Sequence, residues 1–220
     1  MPRDFVRPYW LAGEALVQCA RVGFRVKKES EIRFYDEYFQ VCKEKLIIKA
    51  GNELETAEQC LNEALRRCRA VNLVELEAEI LLGCARLEWV KDSAGGQDAG
   101  NLRQIEETLK EAHQIAERSG YRLQLADIHL FCGEVLLETG EGRLLGLSAS
   151  DHIEKAKVYA KDVSTVDDLY KSRDPHFYDG IEGYEMLKRG MTEKERIENG
   201  YYVAYQIAEA LEKKLKGNLL

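Results

Sequence analysis

A helical pattern of apolar and small residues recurs three times along the chain. Each stretch places such residues at positions i, i+4, i+7 and i+11, which lie on one face of an α-helix. The sets are Ala57, Leu61, Ala64 and Cys68; Ile105, Leu109, Ala112 and Ala116; and Ala149, Ile153, Ala156 and Ala160. The third position is always alanine, whose small side chain allows two helix backbones to approach closely. The pattern therefore predicts three tightly packed helices.

The first two sets belong to a longer repeated unit, which aligns without gaps at an offset of 48 residues. Leu61, Glu63, Ala64, Ala78, Ile80, Leu82 and Cys84 recur as Leu109, Glu111, Ala112, Ala126, Ile128, Leu130 and Cys132. Asn72 and Gly120 lie at equivalent positions and can adopt the left-handed conformation that ends a helix. Each unit therefore predicts a helix, a short turn and a second, antiparallel helix.

The remaining patterns extend this prediction in both directions. Residues 73–90 and 121–139 are apolar on more than one side, as expected of helices packed between others. Glycine-containing segments at 92–100 and 140–146 predict surface loops. A first helix contains Trp10, Leu11, Ala15, Leu16 and Cys19, and an insertion at about 22–52 is expected to carry an added helix over about 29–50.

The chain changes character after about residue 163. Asp174 precedes Pro175, which predicts a break. Thr192 and Glu195 have capping-box spacing before a final helix over about 193–216. We expect Val203, Ile207, Ala210 and Leu211 to face inward there. The tail is also rich in aromatic residues, which could form either a structural cap or a second binding surface. They are Tyr170, Phe177, Tyr178, Tyr184, Tyr201, Tyr202 and Tyr205.

The repeated faces resemble a degenerate tetratricopeptide repeat (TPR) array. Gly13 and Gly133 match the glycine position of that repeat, and the alanine pattern matches its second helix. The resemblance implies an all-α, TPR-like α-solenoid of about three helical hairpins over residues 1–163, with the inserted helix in the first hairpin. A C-terminal helical extension or cap would occupy 164–220. The spacings of 48 and 44 residues exceed the usual repeat length of about 34.

Two stretches have a narrower resemblance. Residues 61–77 and 115–129 are similar to the C-terminal repeat region of bacterial and archaeal signal-transduction ATPases of the NACHT or NB-ARC kind (STAND ATPases), within a broader match over about 8–163. In that family the repeats are the sensor or partner-binding part. The chain has no G-x-x-x-x-G-K-[ST] phosphate loop, so the resemblance carries over no ATPase activity.

Composition narrows the classes of partner and compartment. The formal net charge of -7 gives no general attraction to nucleic acid or to anionic lipid. No apolar run approaches the roughly 20 residues that a membrane-spanning helix needs, and the first residues lack the apolar core of a signal peptide. We therefore expect a cytoplasmic protein. Its six cysteines are scattered, which favours reduced, buried thiols.

Catalytic and metal sites are poorly supported by the residue pattern. Ser150, Asp151 and His152 are adjacent and point in different directions on a helix, so a cap at Ser148 or Ser150 explains them better. His129 and Cys132 are three residues apart, but no second pair completes a metal site. His176 lies near Asp174 and Asp179 in the sequence, but no second pair of ligands completes a metal site there either. We expect no catalytic residue, metal or cofactor. Nearby glutamates offset the basic cluster Arg66, Arg67 and Arg69.

Stacked helical hairpins can hold a peptide or partner protein in their concave face. If the first helix of each hairpin lines that face, the candidate contacts are Trp10, Glu14, Glu79, Arg86, His129 and Glu134. The sequence thus favours a non-enzymatic scaffold or sensor module for protein–protein interaction. The alternatives are a self-associating structural protein, possible as a homo-oligomer, and a helical hydrolase that uses carboxylates or a metal.

Overall fold

A computed structural model describes residues 2–35, 42–95, 99–161, 192–198 and 200–217. The described part is mostly helical, with one two-stranded sheet. In chain order the elements are α1 (Pro2–Arg21), β1 (Ser30–Tyr35), β2 (Cys42–Ile48), α2 (Glu53–Ala70), α3 (Val74–Gly95), α4 (Ala99–Ser119), α5 (Arg122–Thr139), α6 (Ala149–Ala160), α7 (Glu193–Glu198) and α8 (Tyr202–Gly217). The chain divides into two units after Gln124. The domain boundary that we predicted near residue 163 stays a prediction.

The first unit is built from neighbouring helices that pack against each other. Helix α2 packs against α1 and α3, α4 packs against α3, and α1 also lies beside α3. The predicted inward face of α2, from Ala57 to Cys68, is fully buried, and so is that of α4, from Ile105 to Ala116. Burial of these apolar side chains is the main driving force for the packing. The periodic pattern therefore identified the core faces of both helices correctly.

Close helix packing in this unit depends on two glycines that face Leu61. A Cβ atom on Gly13 of α1 would lie 2.7 Å from Leu61 Cγ, and one on Gly83 of α3 would lie 3.1 Å from Leu61 Cδ2. In the second unit, a Cβ atom on Gly133 would lie 3.4 Å from Ile153 Cγ1. Leu61 and Ile153 hold the same place in the repeated pattern. A glycine thus faces a branched aliphatic side chain in both units.

The two turns predicted from the 48-residue offset have the same backbone geometry. Asn72 has φ of 52° and Gly120 has φ of 67°, so both adopt the left-handed conformation. The N–H of the following residue then bonds back to the helix: Leu73 donates to the Cys68 carbonyl and Tyr121 to the Ala116 carbonyl. These bonds cap the last turns of α2 and α4. The two turns at the 48-residue offset therefore share their backbone conformation and their capping bonds.

The insertion does not contain the helix that we predicted over about 29–50. Strands β1 and β2 pair antiparallel there, with Ser30 opposite Ile48 and Arg33 opposite Lys45. Charged and apolar residues alternate in β1 from Glu31 to Phe34, and this period of two suits a half-buried strand better than a helix. Ile48 is buried against α1, α2 and α3, whereas Ile47 is exposed. The chain is thus mostly helical with a β-hairpin, and not all-α. Tyr38, Phe39 and Val41 lie outside the described residues.

The start of α2 anchors the insertion to the first unit. Glu53 is almost fully buried, and its Oε1 atom accepts a hydrogen bond of 2.6 Å from the Val26 backbone N–H. Backbone N–H groups of Glu53 itself and Val26 lower the pKa of this carboxyl, because they stabilise its charged form. A carboxylate at the first turn of a helix also interacts favourably with the helix dipole. A charge-assisted hydrogen bond therefore joins the beginning of the insertion, at Val26, to the first turn of α2.

The predicted surface loop at 92–100 is largely helical. Helix α3 continues to Gly95 and α4 begins at Ala99, with residues 96–98 outside the described part. Asp92 is almost fully buried within α3. Glycine disfavours a helix only weakly, so the two glycines after Ala94 mark the end of the helix rather than a long loop. The segment at 140–146 is non-helical, as predicted, although Leu144 is buried.

In the second unit, α6 begins with a capping box. The Ser148 hydroxyl accepts a hydrogen bond from the Asp151 backbone N–H, and Asp151 Oδ2 accepts one of 3.1 Å from the Ser148 N–H. Hydrogen bonds from Ser148 lower the pKa of Asp151. The predicted cap at Ser148 is confirmed. The core of this unit joins α5, α6 and α8 through Ala126, Leu130, Ile153, Ala156, Ala160, Ala204 and Ala208.

The single final helix predicted over 193–216 is two helices, α7 and α8. The chain between them is held by the Tyr201 N–H, which donates a hydrogen bond of 2.7 Å to the Ala160 carbonyl. The predicted inward face is also wrong at three of its four positions. Val203 and Ile207 are 71% and 46% exposed, and Ala210 is exposed.

The buried face of α8 lies one residue further along the helix. Ala204 and Ala208 are buried, and Leu211 and Leu215 pack partly buried beside them. These four positions repeat the i, i+4, i+7, i+11 spacing of the earlier helices. Alanines allow α8 to approach the alanines of α6, whereas Val203 and Ile207 would hold the helices apart. The tail residues Tyr170, Asp174, His176, Phe177, Tyr178, Asp179 and Tyr184 lie outside the described residues.

Candidate binding surface

A polar strip lies along α1 and α3 in the first unit and contains three of the predicted contacts, Glu14, Glu79 and Arg86. Glu14 Oε1 accepts hydrogen bonds from Arg86 Nη1 at 2.8 Å and from Gln18 Nε2 at 2.9 Å. Both members of the ion pair are largely buried, with side chains 18% and 22% exposed. Further along α3, Glu79 Oε1 accepts a hydrogen bond of 2.7 Å from Gln124 Nε2. We call Glu14, Gln18, Glu79, Arg86 and Gln124 the α1–α3 strip.

Gly83 allows the strip to form. A Cβ atom at this position would lie 2.9 Å from Glu14 Oε2, so the missing side chain lets the carboxylate rest against α3. Glu14 Oε2 is buried and has no hydrogen-bond partner among the described residues. A buried carboxylate oxygen without a partner costs free energy. The Glu14 carboxylate is therefore held by bonds to one of its two oxygens.

The other predicted contacts lie elsewhere. Trp10 is half-buried and packs against the apolar clusters around Leu61 and Ala64. His129 is fully buried in the second unit, which is incompatible with its predicted place on a surface. The assignment of His129 is therefore corrected, because a ring at this inward position is buried by the neighbouring helix. The predicted role of Trp10 stays a prediction. Glu134 is half-buried on α5.

Sequence reasoning missed the two glutamines of the strip. Gln18 follows Glu14 by four residues on one helix, and that spacing could have identified it. Gln124 lies in the first turn of α5, and its contact with Glu79 spans 45 residues of sequence. No local pattern predicts such a contact. It depends on how α3 and the start of α5 meet.

The basic cluster is neutralised by ion pairs, as expected. Glu63 accepts hydrogen bonds from both Arg66 and Arg67, and these bonds lower its pKa to about 2. Arg69 bonds to Glu77 at 2.7 Å and to Glu111 at 2.6 Å. Because each guanidinium is already paired with a carboxylate, the cluster offers little unpaired charge to a phosphate group.

Three cysteines of the first unit have raised pKa values, which keep their thiols protonated at neutral pH. Burial raises the pKa of Cys60 and Cys68 to about 11 and that of Cys84 to about 12. The thiolate is the reactive form, so these side chains are poor nucleophiles and poor metal ligands. Across the described ranges, no group of three or more His, Cys, Asp or Glu side chains converges as a metal site would require.

The candidate catalytic sequence at 150–152 is divided between two structural roles. Asp151 belongs to the cap of α6, and His152 is fully buried. His152 Nδ1 lies 2.8 Å from His129 Nδ1, and its Nε2 lies 2.9 Å from the Leu144 carbonyl oxygen. Ser150 is exposed on the first turn of the helix. The three side chains therefore do not converge on one reaction centre.

Comparisons with family models, curated proteins and solved structures find no match to the chain. Within the described part, no helix is both long and apolar enough to cross a membrane.

Proposed function

We propose that the chain is a non-enzymatic interaction module that binds a protein or peptide partner along the α1–α3 strip. The observation that carries this proposal is the Glu14–Arg86 ion pair with Gln18, which is largely buried on two adjacent helices. An ion pair in that position holds its groups in fixed directions. A partner that covers it desolvates a charge pair already formed, so it need not bury an isolated charge.

The chemistry of the strip suits a polypeptide ligand. A glutamine side chain has both a donor and an acceptor, as does each peptide group of a bound chain. Gln18 and Arg86 both bond to Glu14, and Gln124 bonds to Glu79 further along α3, so each group of the strip includes an amide. Mixed charge and amide groups favour an extended peptide over a strongly charged polymer. A TPR-like concave face formed by α1 and α3 is part of this proposal.

Other observations support an interaction module over a hydrolase. Burial keeps three of the thiols protonated, Ser148 caps a helix, and His129 and His152 are buried against each other. A hydrolase needs a nucleophile or activated water beside an oriented base. The resemblance to the sensor repeats of STAND ATPases favours the same reading. A partner nucleotide-binding chain would then supply any ATP hydrolysis.

A charge reversal in the strip tests the proposal. Glu79→Lys removes the acceptor of Gln124 and changes the local charge. Glu107→Lys on α4 is the matched control, since Glu107 is exposed and its ion pair of 3.2 Å with Arg103 is exposed as well. Tagged wild-type and variant proteins are cross-linked in native cells, purified and compared by quantitative mass spectrometry.

We expect Glu79→Lys to reduce partner recovery at least tenfold and Glu107→Lys to leave it unchanged. Circular dichroism establishes that both variants are folded. Equal recovery with all three proteins would contradict the placement of the site on the strip. Turnover of a small-molecule substrate by the purified protein, without any recovered partner, would contradict the whole proposal.

Self-association is a second candidate function, supported by exposed apolar residues on α8. Tyr202, Val203 and Ile207 on α8 are 49%, 71% and 46% exposed. Helix faces of this kind are often covered in an oligomer. Light scattering over a wide concentration range tests this candidate. A protein that stays monomeric throughout would exclude it, and an oligomer that Ile207→Glu dissociates would support it.

A further inference from the structure

Two fully buried histidines meet inside the second unit and take no part in the proposed binding. His129 lies on α5 and His152 on α6, with their Nδ1 atoms 2.8 Å apart. His152 Nε2 lies 2.9 Å from the carbonyl oxygen of Leu144, in the connection between the two helices. The Tyr159 ring stacks parallel to His129, with centroids 5.6 Å apart. The pair thus links α5, α6 and their connection.

These contacts restrict where protons can sit. A carbonyl oxygen only accepts hydrogen bonds, so His152 Nε2 carries a proton. Neutral His152 then has an unprotonated Nδ1, and His129 Nδ1 must donate to it. One added proton on His129 Nε2 leaves this bond intact. A second added proton would place N–H groups on both Nδ1 atoms and break it.

Two carboxylates of this unit, Asp151 and Glu212, are held by their own contacts. Asp151, beside His152, is held in the helix cap by Ser148. Arg143 and His152 both lie close enough to contribute to the lowered pKa of Asp151, but less than Ser148 does. From α8, Glu212 bonds to Lys157, and the Tyr205 ring lies 5.9 Å from the same ammonium group. Lys157 thus offsets the charge of Glu212, whereas Asp151 bonds to neutral groups of Ser148 and keeps its negative charge beside His152.

We infer that the His129–His152 pair is an acid-sensitive joint that holds the second unit together only while at least one imidazole is neutral. In the unfolded chain both histidines take up protons near the ordinary pKa of about 6.5. The folded pair holds fewer protons than the unfolded chain below that pH. Stability is therefore present above about pH 6.5 and falls as the pH decreases.

The test measures urea unfolding of the full chain by circular dichroism at pH 7, 6 and 5. As the pH decreases, we expect the folding equilibrium constant to fall about tenfold per pH unit for each additional proton that the unfolded state binds relative to the folded state. His129→Gln removes one titrating ring and keeps an amide donor, so its pH dependence should be weaker. His113→Gln is the control, since His113 lies outside the pair, 3.8 Å from Glu117, and should retain the wild-type dependence.

Nitrogen-15 NMR of the wild-type imidazoles gives a second readout that does not depend on the folding of a variant. We expect a proton on His152 Nε2 and on His129 Nδ1 at pH 7.5, and no folded species with two imidazolium rings at any lower pH. Two imidazolium rings in the folded protein near pH 6, or constant stability between pH 7 and pH 5, would overturn the inference.

Discussion

Gly13→Ala provides the sharpest test of how the first unit is packed. The added Cβ would lie 2.7 Å from Leu61 Cγ, 3.0 Å from Leu61 Cδ2 and 3.2 Å from the Ala57 carbonyl oxygen. Leu61 is fully buried, and Cγ is in the middle of its side chain, so it cannot swing aside. Overpacking of this kind costs about 1–3 kcal/mol, whereas alanine gains about 1 kcal/mol over glycine in a helix. A contact of 2.7 Å is short enough to place the cost at the upper end, about 2–3 kcal/mol, so we expect net destabilisation of about 1–2 kcal/mol.

Gly133→Ala is the matched control, because Gly133 occupies the corresponding position in α5. Its Cβ would lie 3.4 Å from Ile153 Cγ1, which is close to ordinary contact. The helix gain should then dominate, leaving the variant neutral or up to about 1 kcal/mol more stable. Urea unfolding followed by circular dichroism measures both. A double-mutant cycle with Leu61→Ala should show coupling of about 1 kcal/mol or more. Gly13→Ala at wild-type stability would refute the close packing.

Three further changes test other parts of the fold by the same urea assay. Ser148→Ala should cost about 1 kcal/mol through loss of the capping box, while exposed Ser150→Ala should change stability by less than about 0.5 kcal/mol. Ala208→Leu should destabilise by about 1–3 kcal/mol, since Ala208 is fully buried, and Ile207→Ser should have little effect. A larger loss of stability from Ile207→Ser than from Ala208→Leu would instead support the inward face predicted from the sequence. Hydrogen bonds from Lys157 and Lys216 lower the pKa of Glu212 to about 2, so its contribution is present above about pH 4.5 and lost towards pH 2. Glu212→Gln should remove that part of the acid dependence, and a wild-type profile would contradict it.

The sequence was most informative where small residues occupy a helical period. Leu61 and Ala64 could be assigned to a buried helix face because every fourth or third position repeats the pattern. Asn72 could be assigned to a left-handed turn because glycine replaces it one repeat later. Both signals are local, and the tertiary structure agrees with them. Local signals therefore predicted most helices, although not their ends.

Local signals were ambiguous wherever two periods or two faces competed. The insertion contains short apolar runs that suit a strand or a helix, and only pairing between β1 and β2 decides between them. Helix α8 has two apolar stripes, one of larger residues at Val203 and Ile207 and one of alanines at Ala204 and Ala208. Hydrophobicity alone favours the larger residues. Close approach to α6 selects the alanines, and that distance is a tertiary property.

The sequence could suggest individual residues of the candidate site, but it could not predict which of them contact each other. Glu14 and Arg86 are 72 residues apart, and they meet only because α1 and α3 lie side by side. Gly83 serves both the packing and the site, since a Cβ atom there would lie 3.1 Å from Leu61 Cδ2 and 2.9 Å from Glu14 Oε2. The small residue that brings the helices together thus also admits the carboxylate of the strip. The packing of the first unit and its candidate binding surface therefore depend on the same interhelical distance.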